Sequence, residues 1–227
     1  MDCWDPAIVG RMEARLLRQQ AMSQTRRALV LDAARAVFEE HGIEGASMRE
    51  IARRAGYTPG AIYSYFESKE AIYGALLAQS LDRLNTAVHA AKPQDASAAA
   101  FLKAKALGWF GFYAANPREL DLGFYLVHGL APRGLTSELN QRLNARLHEA
   151  LAPCEQALLA MGLEAAAAAR ENTALFAHGV GLLLLQHTGR IRMFKQDATD
   201  LFDNYLAALL LRTAPGGKDE PDAAGCR

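Results

Sequence analysis

The sequence predicts an all-α protein, and three observations support this fold class. Apolar residues recur at helical spacing from one end of the 227-residue chain to the other, whereas the alternation typical of strands is nearly absent. Capping residues and prolines mark repeated helix starts, and glycines mark helix ends. Apolar residues make up 51% of the chain, which is enough for an ample core in one or two domains.

Glycines delimit the first two predicted helices. The first runs from about residue 25 to 41, and Gly42 follows at the position where a left-handed C-terminal cap is needed. The second begins at Ser47 and ends at Gly56. Ser47 and Glu50 form a capping box, in which each side chain accepts a hydrogen bond from the main-chain amide of the other residue.

The third helix begins immediately after the second. Thr58 caps it, and Pro59 occupies the first turn, where no amide hydrogen is needed. A fourth helix begins near Ser68 and continues to about Ala91. Helices two and three are very short and joined by a glycine-containing turn, so helix one must lie beneath them. This layout predicts a helix-turn-helix, whose second helix enters the DNA major groove; an ordinary three-helix corner is the alternative.

Five more helices are predicted after a linker, KPQDASAAA, that begins at Lys92. Pro153 should kink the seventh helix. The tail from residue 213 to 227 lacks core-forming residues and should be disordered. The predicted ranges of the five helices are about 98–115, 117–129, 136–161, 164–188 and 197–212.

The segment AARAVFEEHGIEGASMREIARRAGYTPGAIYSYFESKEAIYGALL begins at Ala33. With it, residues 25–75 resemble the DNA-binding domain of TetR-family transcriptional regulators. The resemblance implies a DNA-binding domain at 24–75, with the helix-turn-helix at about 47–66, and a ligand-binding and dimerisation domain at 76–212. It also implies a ligand-responsive repressor that binds a palindromic double-stranded operator as a homodimer. A transcriptional activator of the same fold and an enzyme on a helical scaffold are the alternatives.

Each residue of the stretch around helix three has an expected role. Gly60 lets the backbone approach DNA, Tyr63 and Tyr65 place hydroxyls on phosphates, and Phe66 faces inward. Lys69, in the first turn of helix four, is expected to share a phosphate with that helix end. Helix three has no arginine, so the bidentate contact from arginine to guanine is absent there. The full set of expected DNA contacts is Arg26, Ser47, Met48, Arg49, Thr58, Pro59, Gly60, Ala61, Tyr63, Ser64, Tyr65 and Lys69.

Two further arginines of helix two are expected to differ in role. Arg53 lies one turn after Arg49 and is expected to add positive charge toward DNA. Arg54 is expected to pair with Glu50 at the i,i+4 spacing.

Helices eight and nine are expected to form the dimer interface. Helix eight is apolar nearly all round and must be covered on every side. A four-helix bundle across a two-fold axis would cover it, as the resemblance also implies, and Gly181 would join Gly179 in allowing close helix contact. A monomer with a large core is the alternative. The expected interface residues are Leu175, Gly179, Leu182, Leu183, Leu201, Tyr205 and Leu209.

Aromatic residues of helices five and six predict a small-molecule site, because the family commonly holds a pocket there and the residues fit a mostly apolar cavity. For any one of these residues a place in solid core is the alternative. The effector is expected to be apolar or aromatic. The candidate residues are Trp109, Phe112, Tyr113, Phe124, Tyr125, His128 and Phe176.

Composition excludes several other classes. Basic and acidic residues balance at 25 each, which argues against a non-specific architectural DNA binder. The cysteines Cys3, Cys154 and Cys226 have neither a disulfide nor a zinc pattern, and no catalytic motif is present, so we expect no metal, no cofactor and no enzyme. Neither a signal peptide nor a membrane-spanning segment is seen, which predicts a soluble cytoplasmic protein.

Residues 1–23 form an N-terminal extension. Met12 and Met22 offer alternative natural starts, so the extension has either no role or the role of a short helix that presents Arg15 and Arg18 to DNA. The first reading is preferred for two reasons. Acidic residues offset the arginines up to Ser23, and Leu16 is expected to pack rather than reach toward DNA.

Overall fold

A computed structural model of the chain describes residues 6–124 and 135–213. Within these ranges the protein consists of helices, and the predicted all-α class with nine α-helices is confirmed. A short 3-10 helix, Arg190–Phe194, lies between the last two. The α-helices are α1 Pro6–Gly45, α2 Met48–Ala55, α3 Pro59–Tyr63, α4 Lys69–Ala90, α5 Ala98–Ala115, α6 Pro117–Phe124, α7 Ser137–Ala160, α8 Ala165–His187 and α9 Ala198–Arg212.

The helix starts follow the predicted capping residues closely. The hydroxyl of Ser47 accepts a hydrogen bond from the Glu50 amide at 3.2 Å, and that of Thr58 accepts one from the Ala61 amide at 3.3 Å. Gly56 ends α2 in the left-handed conformation, with a φ of 73°. The second half of the expected capping box is not formed, because both carboxylate oxygens of Glu50 bind Arg53.

Helix α1 differs from its predicted range. Helix α1 begins at Pro6 rather than near residue 25. The reason is that neither proline nor glycine interrupts the helix-forming residues from 11 to 41. Gly42 breaks the helix as predicted, with φ 67° and ψ 174°, but a further helical turn follows to Gly45. Helix α7 continues through Pro153, which is buried. Parts of the predicted sixth helix and of the C-terminal tail lie outside the described residues.

The chain divides into two compact units. The first comprises Met1–Leu77 and Tyr125–Leu139, and the second comprises Ala78–Phe124 and Asn140–Arg227. In the first unit α2 packs on α1 and α3 packs on α2, and the inner side chains are removed from water. At the start of α4, Tyr73 meets Phe38 edge to face, with ring centres 5.7 Å apart. The buried side chains of this unit include Val30, Ala34, Val37, Phe38, Ile51, Ala52, Ile62, Phe66 and Ile72.

The core of the second unit is built around Trp109 of α5. The rings of Tyr113, Phe176 and Phe202 lie 5.8, 5.3 and 6.2 Å from it, and each pair is tilted or edge to face. Such aromatic pairs add to the stabilisation from burial itself. Among the described residues no helix combines the length and the apolar character that crossing a bilayer requires.

Candidate DNA-binding surface

Helix α3 is held in the first unit by one inward face. Ile62 is fully buried and Phe66, just after the helix, is 4% exposed, as predicted. The other side chains of the segment therefore face outward. We call this outward face the recognition surface. It consists of the exposed Thr58, Pro59, Gly60, Tyr63 and Ser64 with the half-buried Ala61 and Tyr65.

Gly60 is not required by the packing of the protein itself. A Cβ atom built at this position meets no heavy atom within 4 Å, and the residue is not in a left-handed conformation. Glycine early in a helix is less favourable than alanine by roughly 0.5–1 kcal/mol. The open space in front of Gly60 is where an external partner can approach the backbone.

Tyr63 and Tyr65 lie in different surroundings. Tyr63 is 54% exposed, so its ring is free to contact a partner. Tyr65 is held by α1, because Arg27 donates to its main-chain carbonyl at 3.4 Å. A side-chain hydrogen bond to Tyr65 also raises the pKa of the Arg26 guanidinium. This contact fixes a permanent positive charge beside the end of α3.

Ion pairs on α2 correct one expectation. Arg53 pairs with Glu50 at 2.6 Å, whereas Arg54 pairs with Glu40 of α1 at 2.7 Å. The predicted pairing of Arg54 with Glu50 was wrong, because Arg54 reaches Glu40 of α1 instead. The expected contribution of Arg53 toward DNA stays a prediction. The arginines lower the pKa of Glu50 and of Glu40, respectively. Arg49 is exposed at the outer side of α2, and Met48 is half-buried beside it.

Lys69 has an internal role that the sequence did not reveal. Its Nζ atom donates to the main-chain carbonyls of Glu44 and Ala46, each at 3.1 Å. These carbonyls lie at the end of α1, where a cation is favourable. An ammonium group has three hydrogens, so a phosphate contact through the third remains a prediction.

A groove lies along α1 next to the recognition surface. It has a volume of about 460 Å³, and its lining combines three arginines from α1 with Tyr65. Leu16, expected to pack, is 52% exposed, because α1 extends past the core of the unit at this point. We call this feature the α1 groove. Its lining residues are Arg15, Arg18, Gln19, Met22, Ser23, Arg26 and Tyr65.

The candidate effector residues of the second unit fall into two groups. Trp109 and Tyr113 are 2% and 1% exposed and belong to the solid core, which was the alternative for them. Burial raises the pKa of the Tyr113 hydroxyl. Half-buried positions are occupied by Phe112, Phe124 and Phe176. The other two candidates, Tyr125 and His128, lie outside the described residues.

Most of the expected dimer residues pack inside one chain, so that part of the prediction was wrong. The reason is clearest at Gly179, where an added Cβ would lie 2.5 Å from Cζ3 of Trp109. Leu201 and Tyr205 alone are partly exposed among the seven. The five residues buried within the chain are Leu175, Gly179, Leu182, Leu183 and Leu209.

A different face of α8 and α9 remains open. The ring of His178 stacks on that of Tyr205, with centres 4.2 Å apart, and so joins the two helices at the surface. Helical spacing places Ala174 and Gly181 beside His178 and places Ala208 beside Tyr205. We call this the α8–α9 face. It consists of Ala174, His178, Gly181, Leu185, Leu201, Tyr205 and Ala208, all half-buried or exposed.

Comparison with known families and curated proteins identifies the first unit. The model of bacterial regulatory proteins of the tetR family matches residues 30–76. The HTH-type transcriptional regulator UidR of Escherichia coli strain K12 is 39% identical over 64 residues, which are 28% of this chain and 33% of UidR. The A-factor receptor protein of Streptomyces griseus is 47% identical over 62 residues, 27% of this chain and 22% of the receptor.

A named repressor is also similar. The HTH-type transcriptional repressor AcnR of Corynebacterium diphtheriae is 39% identical over 59 residues, which are 26% of this chain and 31% of AcnR. The chain thus spans about a third or less of the length of the curated relatives it matches.

Solved structures extend the similarity to most of the chain. A regulatory protein of the tetR family from Rhodococcus RHA1 superposes with a TM-score of 0.62 at 21% identity, over 83% of this chain and 97% of that one. FadR of Bacillus subtilis, in complex with stearoyl-CoA, has a TM-score of 0.58 at 22% identity over 85% and 99%. At these identities the likeness shows the fold. Residues 30–76 therefore match the model of bacterial regulatory proteins of the tetR family, in a chain whose all-helical fold is similar to that of solved structures of that family.

Proposed function

We propose that the chain is a transcriptional regulator that reads double-stranded DNA through the recognition surface. The observation that carries the proposal is the exposed face of α3, in which Gly60 has open space in front of its backbone. Thr58, Tyr63 and Ser64 are exposed, carry hydroxyl groups and lie within about one helical turn of Gly60. Hydroxyl and main-chain groups at a helix start are common donors to phosphate oxygens. The match of residues 30–76 to a DNA-binding family supports the same role.

Base reading in this proposal relies on small and polar side chains. Ala61 can contact a thymine methyl group, and the hydroxyl of Ser64 keeps acceptor capacity while it donates to the Ala61 carbonyl at 2.7 Å. Arg49 of α2 supplies an exposed charge nearby. Specificity then comes from several weak contacts rather than from one arginine on guanine.

The regulator acts as a homodimer in this proposal. The α8–α9 face supports it, because small residues there permit close helix approach and partly exposed apolar side chains gain from being covered. A two-fold pair of recognition helices separated by about 34–36 Å would read a near-palindromic operator. A role as a repressor rather than an activator is supported by the similarity to AcnR, a named repressor.

A small-molecule effector completes the proposal. The half-buried rings of Phe112, Phe124 and Phe176 can provide an apolar wall, and a side-chain oxygen of the half-buried Gln186 has no hydrogen-bond partner in the described part of the chain. Orphaned buried polar groups of this kind fit a site that is completed by a ligand. The Bacillus subtilis FadR structure, which has the same fold, contains stearoyl-CoA.

The test is a selection of duplexes from a random-sequence library, followed by binding titrations of the recovered duplex. Gly60→Ala should leave the fold intact and weaken binding by tenfold or more, because a methyl group would hold the backbone away from DNA. Gly111→Ala in α5 is the matched control, since a Cβ there also meets nothing within 4 Å. A wild-type chain that enriches no sequence, or a Gly60→Ala variant that binds as tightly as wild type, would contradict the proposal.

A further inference from the structure

The α1 groove collects positive charge without an acidic neighbour in its lining. Three arginines, Arg15, Arg18 and Arg26, border the same cavity, and none of the other lining residues is a carboxylate. Glu13, the acidic residue between positions 12 and 31, falls on the opposite side of α1 from Arg15 by the helical repeat of about 100° per residue. Glu13 and Arg15, which are close together in the sequence, are therefore on different sides of the folded helix.

Two of these arginines, Arg15 and Arg18, are also accessible to a partner. Arg15 and Arg18 are exposed, and Arg18 donates a hydrogen bond from its Nε atom to the Ala14 carbonyl of its own helix at 3.1 Å, which leaves the two terminal nitrogens to donate to a partner. A guanidinium group presents paired N–H donors that match two oxygens of a phosphate.

Continuity with the recognition surface indicates which anion the groove meets. Tyr65 belongs to both features, because it is the last residue of the recognition surface and also lines the α1 groove. Positions 15 to 26 extend over about 16 Å of helix at 1.5 Å per residue. A row of charge of that length matches several phosphates of one strand, which repeat about every 3.4 Å along the duplex axis, better than it matches a single small anion.

We infer that the α1 groove holds backbone phosphates of the DNA that flanks the half-site read by α3. This inference rests on the proposed function, and it replaces the expectation that the extension does not contact DNA. The contact adds affinity and salt dependence without sequence preference, because phosphates carry no base information.

The experiment compares the full chain with the double variant Arg15→Gln, Arg18→Gln. The probe is the duplex recovered by selection, in one form with about ten flanking base pairs on each side and in another trimmed to the half-sites. A second variant, Lys92→Gln with Arg142→Gln, removes two exposed charges from the second unit and serves as the matched control. Affinity is measured across a salt series.

The inference expects the double variant to lower the salt slope on the flanked duplex by about two for each half-site, and thus by about four for the dimer, since each lost phosphate contact removes roughly 0.9. Affinity for the selected and an unrelated duplex should fall by the same factor, whereas the trimmed duplex and the control variant should show little change. An unchanged slope on the flanked duplex would overturn it. A second result would also overturn the inference. In it, pyrophosphate raises the melting temperature of the wild type but not that of the double variant, while both proteins bind the flanked duplex with equal affinity.

These results separate the inference from the proposed function. If the wild type reads the selected duplex and Gly60→Ala does not, while the double variant behaves as wild type, the regulator proposal stands and the groove inference fails. If the wild type shows no sequence preference, both the regulator proposal and the groove inference fail.

Discussion

The ammonium group of Lys105 donates a hydrogen bond to the main-chain carbonyl of Ala91 at 2.8 Å. Two more carbonyls, of Val88 and His89, accept from the same Nζ atom at 2.9 and 3.0 Å. All three lie at the C-terminal end of α4, and Lys105 itself is only 6% exposed. The side chain thus takes the place of water at a helix end where the carbonyls would otherwise be unsatisfied.

Lys105→Met should lower the free energy of unfolding by about 2–4 kcal/mol, because it leaves buried carbonyls without a donor. Lys103→Met is the control on the same helix. Lys103 makes an exposed ion pair with Asp203 at 2.7 Å, and its loss should change stability by less than about 1 kcal/mol. Urea denaturation measures both, and equal effects would contradict the capping role.

Two glycines on α8 should respond in opposite directions to substitution by alanine. Gly179→Ala brings a methyl group against Trp109 and Phe202 and should destabilise the chain by about 1–3 kcal/mol. Within one subunit Gly181→Ala meets open space, and it should stabilise the fold of that subunit by about 0.5–1 kcal/mol through helix propensity. Thermal unfolding at one fixed protein concentration tests the pair. Stabilisation by Gly179→Ala would show that Trp109 does not occupy this place.

The stability of the chain should depend on His178 at mildly acidic pH. Desolvation lowers the pKa of His178 below its ordinary value of 6.5. As pH falls through 6.5 the unfolded chain binds a proton that the folded chain does not, so folding stability decreases, until the pH reaches the lowered pKa. His178→Phe keeps a ring against Tyr205 and removes this titration. Urea denaturation at pH 7.5 and 5.5 should show a smaller decrease for the variant than for wild type.

Neighbouring alanines on α9 test the dimer. Ala208→Arg places a charge on the α8–α9 face and should shift the chain toward monomer at micromolar concentration. Ala207→Arg, exposed about 100° away around the helix, should leave the assembly unchanged. Light scattering reads the mass, and DNA titration should show loss of binding to the near-palindrome for the first variant alone. A wild type that is monomeric yet binds DNA normally would contradict the dimer.

Local signals in the sequence predicted the helix-turn-helix well, because capping depends on residues close together in the chain. Thr58, Pro59 and Gly56 mark the ends of α2 and α3 by their own chemistry. The contacts of Lys69 and Lys105 were not predictable in this way. Each reaches carbonyls 14 to 25 positions away, and only the packing of two helices brings donor and acceptor together.

Periodicity had a comparable limit on α8. An apolar helix indicates that every side is covered, but it does not distinguish the core of one chain from a partner. Gly179 and Gly181 are only two residues apart, yet one packs on Trp109 and the other faces open space. The continuation of α1 to Pro6 was missed for another reason. The apolar spacing of that segment predicted that Leu16 packs against a core. No core lies beneath this part of the helix, and Leu16 is exposed.

The burial of Trp109 has an optical consequence. The chain has two tryptophans, Trp4 and Trp109, so Trp4→Phe leaves a single indole emitter within the aromatic core of the second unit. An indole shielded from water emits at shorter wavelength than an exposed one, and Tyr113 lies close enough to transfer excitation to it. The emission of that variant is then a built-in reporter, and a molecule that enters between Phe176 and α5 will shift or quench it without any attached dye.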